Sequence, residues 1–390
     1  MDFELNDELK MFLRAVRDFC ERELKPHAAT AHETGELNWD AIRKMPSIGL
    51  TGLQVPEEYG GIAIDTLGAS IAVEEIGRVC GSTGLTISAH NGLGCGPIVN
   101  WGTDEQKSRW LPTLISGDVL GALALTEPQA GSDLLNGAQT TAVRDGNEWV
   151  INGTKAWITN AGWAPVITVL IRTDPDAGSR GFSMILVETD RPGLTIHPPE
   201  KKMGLNASKS HMLGFENVRV PVSNTLGPVG HGFYQTMQTL DSGRVSIGAL
   251  SVGLAQGAFE EMVKYAQDRH AFGEPIANKQ LIQEKIANAA MDIEAARLLV
   301  YKAAWLKDQG RDYTRMASIA KLKATEVAER VCFDAVQVHG SAGYSRDYPV
   351  ERMYRDQRLM SIGEGTSEIQ RIVIARRVLK SFEEGALSLV

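Results

Sequence analysis

No run of apolar residues in this 390-residue chain approaches the roughly 18–20 needed to cross a bilayer, so no spanning helix is expected. The start, Met1-Asp2-Phe3-Glu4, lacks the basic residues of a signal or transit peptide, and the expected location is the cytoplasm. Cysteine is scarce. Cys20, Cys80, Cys95 and Cys332 lie far apart with no CxxC pair, and read as buried small apolar residues in a reducing compartment. The eight histidines show no HExxH and no paired spacing, so no metal site is expected. Positive charge is also short: 40 Lys and Arg stand against 48 Asp and Glu, a net charge of −8. That balance argues against non-specific nucleic-acid binding, which relies on clustered cations facing phosphate. Internal repeats, low-complexity segments and linkers are missing too.

What is present is the composition of a globular enzyme, 43% hydrophobic and 23% charged, in a chain long enough for two or three domains. Up to about residue 117 the pattern is helical. Leu5, Leu9, Phe12, Leu13, Val16 and Phe19 recur at helical spacing, and Pro26 lies just beyond them. A small-residue helix is expected around Ser70 to Val79, and Thr103-Asp104-Glu105-Gln106 opens another with a capping box. His90-Asn91-Gly92-Leu93-Gly94-Cys95-Gly96-Pro97 invites a dinucleotide-fingerprint reading, but Pro97 replaces the third glycine and no strand precedes it.

Near Gly121 the pattern turns to strands: Thr140 to Val143, Glu148 to Ile151, Val166 to Arg172, Gly181 to Glu188 and His211 to Val220. Asp145-Gly146-Asn147 and Asn152-Gly153 read as hairpin turns. Short strands at this spacing make a sandwich or barrel, not the βαβ sheet of nicotinamide enzymes. From about Gly232 helices return. One is capped by Asn278 and closed by Gly310, the next starts at Thr314 and ends at His339-Gly340, and the last spans Ser367 to Phe382. The expected fold is α+β, with an N-terminal helical domain (1–119), a central β-sandwich or barrel (120–229) and a C-terminal four-helix bundle (230–390).

Five segments carry chemistry. In Gly363-Glu364-Gly365-Thr366, one carboxylate stands between glycines at a helix entrance. It reads as a general base or as a solvated loop charge, and local grounds favour the second. Leu123 to Asp133 offers hydroxyl and backbone donors, and is equally well a structural turn. Lys155-Ala156-Trp157-Ile158-Thr159-Asn160 sets an indole beside a hydroxyl, able to wall a flat ring, though most strand tryptophans are core. Gln337 to Asp347 runs a helix into a glycine-rich loop. Arg269-His270-Ala271-Phe272-Gly273 sets a cation between long helices, where it binds phosphate or is merely solvated.

Together the segments resemble the acyl-CoA dehydrogenases, a family of FAD enzymes, over the whole length from about Leu5 to Lys380. One family signature is Ala124-Leu125-Thr126-Glu127 with Ala130-Gly131-Ser132-Asp133. The other begins Gln337-Val338-His339-Gly340-Ser341-Ala342-Gly343-Tyr344 and continues through Asp347, Arg352 and Asp356. The resemblance implies FAD between the β domain and the bundle of a homotetramer. Leu123, Leu125, Thr126 and Ser132 would line the cofactor, Trp157 and Thr159 its isoalloxazine. Arg269, Phe272, Gln280, Gln337, Gly340 and Ser341 would hold it across a dimer interface, and Thr366 and Glu368 would contact it after the base. Ser132, Asp241, Arg244 and Gly365 would border the substrate.

The implied reaction is α,β-dehydrogenation of an acyl-CoA thioester to the trans-2-enoyl-CoA, with Glu364 taking the α-proton and electrons passing to an electron-transfer flavoprotein. Some family branches place the base at the position of Gly243; a glycine there leaves Glu364. Gly363 departs from a common aromatic, which widens the acyl pocket. Leu123 and Ala271 depart from a frequent aromatic and a common polar FAD contact. Ser88 to Leu93 looks most like short- and branched-chain members, so a short-chain, branched or cyclic acyl group is expected. The alternatives are an acyl-CoA oxidase, whose usual extra helical domain 390 residues do not accommodate, and a non-catalytic scaffold or nucleic-acid-associated member of the fold.

Overall fold

The computed structural model describes residues 5–384; the tetrapeptide Met1-Asp2-Phe3-Glu4 lies outside them. Helix α1 (Asp7–Phe19) begins where the Asn6 side chain accepts from the Leu9 amide, and it buries Leu9, Val16 and Phe19. Helix α2 (Thr66–Val79), capped by Asp65, is buried almost all round, as its small-residue composition allows. Helices α3 (Gly81–Ala89) and α4 (Asp104–Leu114) follow, and α4 carries the expected Thr103–Gln106 capping box. The chain then enters strands β1 (Ala122–Ala124), β2 (Thr141–Asp145), β3 (Glu148–Thr159), β4 (Val166–Arg172), β5 (Phe182–Glu188), β6 (Leu194–Ile196), β7 (Ser210–Pro221) and β8 (Thr225–Leu226). They form one mixed sheet in the order β6-β7-β3-β2-β4-β5-β8, with β1 added parallel to β4.

One expected turn is not a turn. Asp145-Gly146-Asn147 does reverse the chain between β2 and β3, with Gly146 at φ +62°. Asn152-Gly153 instead lies inside β3, which runs on to Thr159 against β7. A register shift between Ile151 and Gly153 absorbs the irregularity, and the Asn152 side chain accepts from the Asn217 amide at 2.8 Å.

The rest is helical: α5 (Gly232–Asp268), α6 (Gln280–Asp308), α7 (Thr314–His339), α8 (Val350–Gln357) and α9 (Ser367–Glu383). Asn278 does not cap α6. Its amide donates to Glu274, and Lys279 holds the cap position without a side-chain bond. Helix α5 unites the molecule. Its inner face joins the bundle core with Val300, Ala320 and Val327, while Gly253 and Gly257 lie so close to α2 that a Cβ would meet Glu74 O and Arg78 O at 2.1 Å. Around that crossing runs a charged network: Arg297 to Glu74 at 2.9 Å, Arg78 to Glu21 at 2.7 Å and to Glu260 at 2.9 Å, and Arg17 to Glu75 at 3.1 Å. The four cysteines are buried and unbridged. Among the described residues no helix is long and apolar enough to cross a membrane.

Candidate active site

Glu364 sits in the loop between α8 and α9. Ile362 N and Gly363 N both donate to Leu359 O at 2.9 Å, closing a tight turn. The Thr366 hydroxyl then accepts from Ile369 N and starts α9. Between these anchors Glu364 adopts φ +53°, a left-handed conformation that costs a non-glycine residue about 1–2 kcal/mol. The residue is half-buried, yet its Oε2 is fully buried with no hydrogen-bond partner. Burial raises its pKa, which Lys321 and Arg244 pull back in part, leaving it at about 6. A strained backbone and an unpaired buried carboxylate oxygen are not features of a solvated loop charge.

The carboxylate lies over Gly243 on α5. A Cβ built there would stand 2.1 Å from Glu364 Oε2, with Leu93 Cδ2 next at 3.7 Å. Positions 243 and 364 therefore present side chains to the same small volume. The next residue, Arg244, is buried and pairs with Asp241, whose other oxygen accepts from the Thr314 hydroxyl at 2.6 Å. The Asp241 carboxylate is thus committed within the protein. Lys321, absent from the residues singled out by sequence, completes the set. It is 1% exposed on α7, and its ammonium donates to the carbonyls of both Gly363 and Gly365.

Leu93 packs against the same apolar cluster as Leu123 and Leu125, which links the carboxylate to the start of the sheet. Leu123 is buried in that cluster, so its side chain is spent on packing. Leu125 and Thr126 follow, tied to β3 by the bond from Ala156 N to Thr126 O at 2.8 Å. Beneath them lies a pair of no evident role in the sequence. Lys155, fully buried, donates to Glu127 at 2.8 Å and to Leu125 O at 3.0 Å, while Glu127 also accepts from Gln139 N and Thr140 N. Burial opposes ionisation of Glu127, but Lys155 and these amides outweigh it and hold its carboxyl low.

Trp157 is the opposite of a core tryptophan. It sits at a second register shift of β3 with φ +62°, and its side chain stands 57% exposed beside Thr159. An indole held out of a sheet at a backbone cost fits a flat aromatic partner. Ser132 lies in the exposed loop after Gly131, where a Cβ would meet nothing within 4 Å. At the far end of the bundle, Tyr265 stacks on His339 at 4.2 Å, which brings the ends of α5 and α7 together. Arg269, Gln280, Gln337, Gly340 and Ser341 are exposed around those ends, and Phe272 projects 94% exposed from the ribbon His270–Ala271/Glu274–Pro275. Gly340 has φ +61°, ψ −134°, a conformation open to glycine alone. Glu368 is exposed in the first turn of α9. His90 is structural: it accepts from Gly121 N through Nδ1 and donates from Nε2 to Thr51 O, both at 2.8 Å, and burial lowers its pKa to about 4.

The chain matches three family descriptions in succession: "Acyl-CoA dehydrogenase, N-terminal domain" over residues 6–118, "middle domain" over 122–218 and "C-terminal domain" over 230–379. It is 50% identical over 381 residues to "Probable acyl-CoA dehydrogenase YngJ" of Bacillus subtilis (strain 168), covering 97% of this chain and 100% of that protein. It is 45% identical over 379 residues to the mitochondrial "Short-chain specific acyl-CoA dehydrogenase" of Bos taurus, covering 97% and 92%. Among solved structures, the acyl-CoA dehydrogenase complexed with FAD from Bacillus anthracis superposes with a TM-score of 0.92 at 36% identity, covering 98% of this chain and 70% of that one. The helical, β and helical arrangement, the buried carboxylate and these matches agree: the chain belongs to the acyl-CoA dehydrogenase family.

Proposed function

We propose that this protein is an FAD-dependent dehydrogenase that converts an acyl-CoA thioester to its trans-2-enoyl-CoA, with Glu364 as the base. The observation that supports this most is the buried, unpartnered Oε2 of Glu364 held over Gly243. A carboxylate is a weak base towards carbon, so two aids are needed. Its pKa has to rise, and burial does this here. The thioester carbonyl has to be polarised as the α-proton leaves, and one such hydrogen bond typically contributes about 3–4 kcal/mol. Among the described residues the Glu364 amide donates to no protein acceptor, which suits it to that role. Arg244 and Lys321 add positive charge near the developing enolate.

The residues fit FAD. Leu125, Thr126 and Ser132 line one edge of the cradle and Trp157 with Thr159 its wall, while Arg269, Phe272, Gln280, Gln337, Gly340 and Ser341 offer exposed contacts for the nucleotide portion, and Thr366 and Glu368 flank it after the base. Bound there, FAD would supply the hydride acceptor for the β-hydrogen. Ser132, Asp241, Arg244 and Gly365 border the acyl-CoA, Asp241 by orienting Arg244. Electrons pass onward to an electron-transfer flavoprotein.

A short or branched acyl group is supported by the short-chain relative and by Gly363, where the atoms nearest to a Cβ would be those of Leu359, at an ordinary 3.7 Å. Exposed apolar side chains on the bundle, among them Leu281, Met291, Phe333, Leu379 and Phe382, support a homotetramer of three-domain subunits divided near residues 119 and 229. The buried free cysteines support a cytoplasmic location. Anaerobic titration with straight and branched acyl-CoAs tests the reading. Bleaching of the flavin by short acyl-CoAs is expected, and a flavin that no acyl-CoA bleaches overturns it.

A further inference from the structure

Lys321 is an unusual residue to bury. It lies on the inner stripe of α7 with Ala317, Ala320 and Ala324, and burial lowers its pKa, opposed by Glu364 and reinforced by Arg244. It forms no ion pair with any described carboxylate. Its hydrogen bonds go to two backbone oxygens, those of Gly363 and Gly365, on either side of Glu364. A buried ammonium without a carboxylate contact is costly, and a methionine would fill a similar volume without that cost. Its two acceptors indicate what the charge is for.

The Gly363 carbonyl and the Glu364 amide belong to one peptide group. The described peptides include no cis bonds, and in a trans peptide C=O and N–H point in opposite directions. Holding the Gly363 oxygen toward α7 therefore aims the Glu364 N–H away from α7. The second bond, to Gly365 O, is shared with Gln370 Nε2 at 3.0 Å, and it fixes the other end of the left-handed turn. Resting on the dehydrogenase reading above, we propose that Lys321 is a positioning residue for this reaction: it orients the Glu364 amide that polarises the thioester, and its charge keeps Glu364 ionised. The charged groups facing Glu364 are Lys321 from α7, whose effect is the larger, and Arg244 from α5, which also pairs with Asp241. The Gly243 Cβ position that the carboxylate overlies is bordered also by the apolar Leu93. Lys321 is thus the larger of the two cationic offsets to the burial of the carboxylate.

The test uses the FAD-loaded enzyme and its variants K321M and K321Q, with thermal unfolding and flavin content recorded for each. Two rates are measured against pH on a short acyl-CoA: turnover, and exchange of the α-proton with D2O. For K321M kcat should fall about 10²-fold with little change in KM, the loss expected when a reacting group is misplaced by about 1 Å. Its acid limb should move to higher pH, because the charge that favours the ionised base has gone. K321Q keeps a donor but no charge. Its acid limb should move in the same direction with a smaller loss of kcat, and it decides the matter if K321M does not fold. A role in packing alone lowers activity and stability together and leaves the acid limb in place; that result, or a K321M enzyme within threefold of wild type, overturns the proposal. If the unaltered enzyme bleaches with no acyl-CoA, the dehydrogenase reading has failed instead.

Discussion

Replacing Gly243 with alanine adds one methyl group where the Glu364 carboxylate already stands. The new carbon would lie 2.1 Å from Glu364 Oε2 and 3.2 Å from Cδ. Ordinary contact between such atoms needs about 3.5 Å, so the carboxylate has to retreat by about 1 Å or more. The obstructed group is the tip of a side chain, so the backbone need not yield. Alanine is also the better helix former, by about 0.5–1 kcal/mol. Gly243→Ala should therefore keep its flavin and melt no lower than wild type. A displacement of this size typically costs about 10²-fold in rate, or about 2.7 kcal/mol of barrier. Stopped-flow reduction of the flavin by a short acyl-CoA reads this directly. A reduction rate within threefold of wild type would mean that the carboxylate over Gly243 is not the reacting group.

Other expectations follow from the same geometry. Because burial raises the pKa of Glu364 to about 6, and the base works ionised, flavin reduction in the unaltered enzyme should decline as pH falls through that value; a rate flat down to pH 4.5 contradicts it. Lys155→Met leaves the Glu127 carboxylate buried without its cation, so denaturant unfolding should show a loss of about 3–5 kcal/mol, with flavin released early because Leu125 loses its anchor. Gly363→Tyr should fold and bind FAD, since a Cβ there meets only ordinary contacts. It should cut kcat/KM for branched acyl-CoAs more than for straight ones, and equal losses count against an open pocket beside Gly363.

How legible this site was depended on distance along the chain. Glu364 stands in a short recognisable motif, and Thr366 caps α9 by local chemistry that sequence reports well. Lys321 lies 43 positions earlier in a helix that also carries the paired surface residue Lys323, and only its spacing betrays it: four residues after Ala317 and three before Ala324, it falls on the buried stripe. The overlap of positions 243 and 364 is tertiary, made by α5 passing beneath the loop, and no local pattern announces it. Asn152-Gly153 shows the reverse failure. The pair has strong turn chemistry, but hydrogen bonding to β7 on both sides of it carries β3 straight through. Trp157 was ambiguous for a similar reason, because the register shift that turns its ring outward depends on β7, 50 or more residues away. The Glu127–Lys155 pair lay in full view in two motifs, yet its burial appears only once β1 and β3 are side by side.

The central claim is that Glu364 removes the α-proton, and Glu364→Gln tests it most directly. The variant should remain yellow and folded, because glutamine keeps the size of the side chain. Measured by exchange of the α-proton of a short acyl-CoA in D2O, it should be slower than wild type by about 10²–10⁴-fold, the usual contribution of a general base. Exchange and flavin reduction at near wild-type rates would show that another group takes the proton.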